Sequence, residues 1–253
     1  MLLQVLQPTI AKLGTASAAS FNNDQKQVIE KGQTFEIGSW MIVGNHVKVS
    51  LKNSIINRRN TWYFFSAHVQ ISIGDDCIYP IVIKPSQAKA IFGCDVAPGL
   101  LVDLNNCLQR FQINTPIRAR HFLAQIAHES NGLQLLQEQD DGDYLEWNIG
   151  LGNVQKGDGR KFKGAGAIQL TGRYNYQELC NFMKDPKIMD GCEYVANTYP
   201  ITSAGLFWDR KLINSAIEQG ADVKAVTQIV NGGQIGIDDR IKYYNRACKA
   251  IPF

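Results

Sequence analysis

Near residue 80 the spacing of apolar side chains changes, and that change divides the chain into two kinds of architecture. Ahead of it, strand-like runs at residues 2–6, 34–37, 46–51 and 61–73 are separated by clusters of Gly, Asn and Ser, the pattern of a small β module. The aromatics of Trp62 to Phe65 form an unbroken run, which suits a strand covered on both faces. Pro80, Pro85 and Pro98 mark a connector, and beyond it Leu100, Leu101, Leu104, Leu108 and Phe111 make one helical stripe. Further helices are predicted over 174–183, 203–216, 222–230 and 238–249. The reading is a multidomain α+β chain: a small all-β domain over residues 1–75, a linker over 76–95, and a mostly α-helical domain over 96–253. At 253 residues and 45% hydrophobic content, the chain can bury a proper core.

Thr115 followed by Pro116 is a helix start, because the hydroxyl caps free amides and proline fits the first helical position; Asn131-Gly132 supplies the stop. Between them Ala119, Phe122, Leu123, Ile126 and Ala127 form a buried stripe, and Glu129 lies nearly in line with it, seven residues after Phe122. A carboxylate left unpartnered in an apolar wall costs several kcal/mol. It also holds its proton to higher pH, the condition a general acid needs near neutrality. Periodicity leaves a second reading open, in which the stripe ends in water and Glu129 is solvated. Residues 137–166 are rich in Gly, Asp and Lys with little periodicity. Loops of about thirty residues are uncommon in compact domains and are usually functional or disordered. The short apolar segment Ala167-Ile-Gln-Leu-Thr-Gly follows at once, so an ordered loop lining a cleft is expected.

Lys and Arg number 26 against 23 Asp and Glu, a net charge of +3, too small to imply a nucleic-acid partner. The six cysteines contain no Cys-x-x-Cys pair and are not a disulfide framework in a chain this long. Buried free thiols are expected for most, although Cys180 and Cys192 are close enough in sequence to bridge across a loop. The first residues lack the basic start and unbroken apolar run of a signal peptide, and no stretch reaches the roughly 18 apolar residues of a membrane span. A soluble product is expected, cytoplasmic or reaching the cell wall by another route.

His128-Glu129 does not make a zinc-protease motif, since the position four after His128 is Gly132; no metal and no cofactor are expected. Gly159 to Gly164 has phosphate-loop spacing but runs into Ala165-Gly166 instead of Lys and Ser or Thr, and no Gly-x-Ser-x-Gly occurs. What remains is carboxylate chemistry: Glu129, then Glu138, Asp140, Asp141, Asp143 and Glu146 in the unusual loop. Two carboxylates flanking a bond, one protonated and one ionised, are the minimum equipment for glycoside hydrolysis. Solvated loop acids explain the same residues.

The motifs Ala-Gln-Ile-Ala-His-Glu129-Ser, Glu138, Gly157-Asp-Gly, Gly164-Ala-Gly-Ala-Ile-Gln-Leu-Thr-Gly-Arg173-Tyr-Asn-Tyr176, Ala204-Gly-Leu-Phe-Trp208, Asn231-Gly-Gly233 and Asp239-Arg240 resemble glycoside hydrolase family 19, the chitinases and their phage endolysin relatives. The similarity runs from about residue 85 to the end. The preceding module is diffusely similar to a bacterial Src-homology-3-like domain. The resemblance implies a barrel-like β domain followed by a bilobal, lysozyme-like helical domain. Its implied activity is inverting hydrolysis of β-1,4 bonds next to N-acetylglucosamine, performed without a metal by a monomer on a polysaccharide.

Carried over by position, Glu129 is the general acid, Glu138 the general base, and Thr171 the hydroxyl that helps hold the attacking water. His128, Gln169, Asn175, Tyr176 and Asn231 fall on substrate-binding positions, Arg240 on an arginine of the charge network behind the cleft, and Glu146 stands in reserve as base or substrate contact. Where the family has an arginine and a proline, this chain has Ala165 and Ala167; Ile235 stands where plant members carry a glutamate. Chitin-type polymer and the glycan strand of peptidoglycan are both candidate substrates, and a binding protein without cleavage is the alternative.

Overall fold

Alternation of apolar and polar residues builds eight strands in the first unit: β1 Leu2–Val5, β2 Thr9–Lys12, β3 Lys26–Ile29, β4 Thr34–Val43, β5 His46–Leu51, β6 Thr61–Phe65, β7 Val69–Ile73 and β8 Asp76–Tyr79. The computed structural model describes residues 1–252, Asp76 by its backbone alone. It falls into two compact units, Met1–Pro80 and Ile81–Phe253. In the first, the strands pair antiparallel in the order β3-β2-β6-β5-β4-β1-β7-β8. Lys48 faces Tyr63 and Val49 faces Trp62 across β5 and β6. Trp62 and Phe64 point inward with Val47, Val49 and Leu51, while Tyr63 is half-buried and Phe65 exposed. The aromatic run is therefore covered on one face only.

The architecture corrects the sequence expectation. The sheet is an open row with β3 and β8 at opposite ends, so no barrel-like domain forms. β2, β3 and β8 are four residues each, too short for a two-residue period to stand out. The run at 61–73 is two strands parted by a 3₁₀ turn at Ser66–His68. Nor is the helical part bilobal: Ile81–Phe253 is one compact unit around one buried core that extends from Ile81 to Ile251.

That second unit contains α1 Pro85–Phe92, α2 Pro98–Arg110, α3 Pro116–Glu129, α4 Asp158–Lys161, α5 Arg173–Met183, α6 Cys192–Thr198, α7 Thr202–Arg210, α8 Ile213–Glu218, α9 Val223–Asn231 and α10 Ile237–Ala250. Thr115 caps α3 by accepting the Arg118 amide, with Pro116 in the first turn. Asp222 caps α9 through the Ala225 amide at 2.9 Å. The helix predicted over 203–216 breaks after Arg210, where Leu212 takes φ 53°. The segment read as a connector over 76–95 carries β8 and α1.

α3 is buried on nearly every side, from Pro116 through Ala127 apart from Ile117 and the half-buried Arg120. Phe122 meets the edge of Trp208 at 5.2 Å, and His121 lies 4.6 Å from the Tyr244 ring. Burial lowers the His121 pKa from 6.5 to about 4, with Asp222 opposing and Arg120 assisting. The unfolded chain therefore binds a proton between those two values that the folded chain refuses. Stability should be full above pH 6.5 and fall by about 3 kcal/mol as the pH drops to 4. Urea midpoints measured at pH 7 and pH 4.5 for the wild type and for His121→Phe check this, since the variant should lose most of the slope.

Of the cysteines, all six are free and Cys107 alone is fully buried. The expected burial of most thiols is thus only partly realised, the others being half-buried or, for Cys77, exposed.

Candidate active site

Glu129 is the last residue of α3, and its side chain is 26% exposed. It does not sit unpartnered in an apolar wall. Oε1 accepts a hydrogen bond from Arg240 Nη2 at 2.5 Å, and no described group bonds Oε2. Arg240, fully buried near the start of α10, also donates to Gln125 Oε1 and, through Nε, to the Ile235 carbonyl at 3.2 Å. Gln125 in turn donates to Thr227 Oγ1 at 3.1 Å. Sequence reasoning missed Gln125, because a glutamine inside an apolar helix carries no signal of its own.

Beside Glu129, His128 Nδ1 lies 2.9 Å from Asp239 Oδ2. The His128 ring is also covered by the backbone of Gly236 at φ 70°, where a Cβ would stand 2.1 Å from the ring. Asn231 accepts the Gly233 amide at 2.8 Å and donates to the Ile235 carbonyl at 3.0 Å. Its amide is spent holding its own turn.

The second carboxylate comes from a three-armed ladder. Gln137 bridges Ala165 and Ala165 bridges Leu170, both antiparallel. Next to these bridges the Glu138 amide donates to the Gly164 carbonyl at 2.9 Å, and Ala165 and Leu170 exchange both backbone hydrogen bonds at 3.1 and 2.8 Å, which brings the arms that carry Glu138, Gly164 and Thr171 together. Glu138 Oε2 accepts the Gly164 amide at 2.7 Å and Oε1 accepts the Tyr144 hydroxyl at 2.5 Å. The hydrogen bond to Glu138 pushes the Tyr144 pKa up to about 12, so this phenol stays a donor. A side chain at 164 would run into Gln169 Oε1 and Glu138 Oε2. Thr171 Oγ1 donates to the Gln169 carbonyl at 2.9 Å, and Asn175 Nδ2 to the Thr171 carbonyl at 2.7 Å. Gln169, Thr171 and Asn175 line a pocket of about 510 Å³ walled by Leu206 and Phe207, with Lys211 also on its lining.

The long loop is ordered by its own acids. Glu146 accepts the amides of Gly157 and Gly159 at 2.6 and 2.8 Å, which commits both oxygens to the backbone. Asp158 is buried against Arg173, at 2.8 Å to Nε and 2.5 Å to Nη2, and that guanidinium holds its carboxyl below the usual range. Tyr176 is core, with its ring 5.1 Å from Phe162 and its hydroxyl donating to the Lys163 carbonyl at 2.6 Å. Ala165 and Ala167 are fully buried. Among the described residues no group of three or more His, Cys, Asp or Glu could hold a metal ion, and no helix is long and apolar enough to cross a membrane.

No family model matches the chain. A glycosyl hydrolase family 19 domain-containing protein of Haemophilus influenzae is 34% identical over 97 residues, covering 38% of this chain and 46% of the relative. An endochitinase of Arabidopsis thaliana is 26% identical over 136 residues, 51% of this chain and 46% of that one. The chain thus spans about half the length of the curated relatives it matches. Among solved structures, chitinase C of Streptomyces griseus aligns at a TM-score of 0.56 and 16% identity, over 86% of this chain and 92% of its own. A bacterial family 19 chitinase aligns at 0.57 and 20% identity, over 68% and 95%. The fold is shared with these chitinases.

Proposed function

We propose that the chain is an inverting glycoside hydrolase acting on β-1,4 bonds beside N-acetylglucosamine. The observation that carries this reading is Glu138, held by the Gly164 amide and the Tyr144 hydroxyl on an arm bridged to the segment that leads to Thr171. Glu138 acts as the base that draws a proton from the attacking water, and Thr171 Oγ1 accepts the water's other hydrogen and so orients it toward the anomeric carbon. Glu129 meets the leaving oxygen from the helix end. Arg240 fixes Oε1, which leaves Oε2 to carry the proton and deliver it to the departing sugar. An inverting enzyme needs its acid and base on separate elements with room for water between them, about 6.5–9.5 Å, and Glu129 at a helix end and Glu138 on a loop arm stand on separate elements. Gln169 and Asn175 line a pocket on the Thr171 side, bordered by neither Glu129 nor Glu138, and would meet a sugar unit bound there. The sequence relatives, one with a glycosyl hydrolase family 19 domain and one an endochitinase, support a glycoside hydrolase reading.

Lys211 lines the same pocket, carries no ion pair among the described residues, and sits over the Phe207 ring at 5.7 Å. An unpaired cation there suits a glycan with carboxylate substituents, so peptidoglycan is the favoured substrate and chitin-type polymer the second.

Incubation with chitohexaose and separately with purified sacculi, following reducing ends and the anomer formed first by proton NMR, tests the proposal. The α-anomer should appear, and Glu138→Gln should lower turnover by roughly 10²–10⁴-fold. No release from either substrate, or a β-anomer product, would overturn it; binding without release would leave a glycan-binding protein.

A further inference from the structure

The connection between β5 and β6 ends in a tight hairpin. Ile56 and Arg59 exchange both backbone hydrogen bonds, at 3.0 and 2.9 Å, and the two residues between them, Asn57 and Arg58, have φ 46° and 64°. Two left-handed central residues define a type I′ turn, whose preferred pair is Asn-Gly. Asn57 fits. Arg58 occupies the glycine position, where a side chain strains the backbone. Its guanidinium is exposed and makes no ion pair among the described residues, so folding gains nothing visible from it. An outlier of this kind, held in place by its surroundings, points to use.

Arg58 lines a cavity of about 940 Å³ in the sheet unit that four cations, Lys48, Lys52, Arg58 and Arg59, border without a single carboxylate. Lys48, opposite Tyr63 in the sheet register, places its ammonium 5.7 Å from that ring's centre, which positions the charge at little entropic cost. Lys52 and Arg59 are bound by Glu36 at 3.2 Å and Asp24 at 3.7 Å. These are exposed pairs of little strength, and both cations can exchange partner for an incoming anion. Asn60 and its neighbours supply amide and hydroxyl groups for sugar hydroxyls. Base stacking is poorly served, because Tyr63 is the sole aromatic on the lining and carries Lys48 over its ring.

We propose that this cavity binds an anionic carbohydrate chain, one bearing carboxylates or phosphodiesters, independently of any hydrolysis elsewhere in the chain. The full protein is titrated with polygalacturonate, with a phosphodiester-linked polyol phosphate, with neutral dextran and with a single-stranded oligonucleotide of matched charge, at 50 and 200 mM salt. One of the two anionic carbohydrates should bind, more weakly at the higher salt, and which one binds identifies the anion. Arg58→Gly restores the residue the turn prefers, so its thermal midpoint should equal or exceed the wild-type value while affinity falls about tenfold; Lys48→Gln should lose a similar factor. Chitohexaose cleavage should not change in either variant. Wild-type affinity in Arg58→Gly, equal binding of dextran, or tighter binding of the oligonucleotide would each overturn the inference.

Discussion

Glu129→Gln should abolish nearly all turnover, by about 10²–10⁴-fold, while leaving oligosaccharide binding measurable. The substitution keeps the side chain's size and shape and removes the ionisable oxygen with its transferable proton. The amide keeps an oxygen for Arg240 Nη2, so the buried arginine stays satisfied and the helix end keeps its position. A loss confined to turnover, with calorimetric binding of chitohexaose or sacculus fragments retained, separates the proton donor from a residue that merely supports the cleft. Wild-type turnover in this variant would show that another group protonates the leaving oxygen.

Arg240→Ala should cost about 1–3 kcal/mol of stability, the range for leaving a buried hydrogen-bonding group without its partner. Its three arms reach Glu129, Gln125 and the Ile235 carbonyl, and of these Gln125 is fully buried and cannot turn to water for a replacement donor. Urea denaturation at pH 7 reads the effect. Arg240→Lys, a point charge with no planar fork, should recover only part of it. A loss under 1 kcal/mol would mean that α3 and α10 hold together without this contact.

The sequence made α3 legible at both ends because a capping threonine, a proline and an Asn-Gly pair each act within a few residues. Periodicity made Glu129 a candidate acid, whereas Glu138 was singled out from the other loop acids only through motif resemblance. Periodicity put Glu129 on an apolar stripe but could not show that an arginine 111 positions later would meet it, since that pairing depends on how α10 packs. The role of Glu146 was hidden for a similar reason: a carboxylate that caps two glycine amides and one that activates water look identical as letters. In the sheet unit the edge strands β3 and β8 went unread because Lys-Gln-Val-Ile and Asp-Cys-Ile-Tyr lack the strong apolar character that made the equally short β1 stand out, and the break after Arg210 was masked by apolar residues that suit one long helix as well as two short ones.

Ile235 has its side chain 77% exposed, while its carbonyl is committed to Asn231 and Arg240. The position contributes to the charge network through its main chain alone. A change of side chain at 235 therefore leaves that anchorage intact so long as the peptide keeps its path.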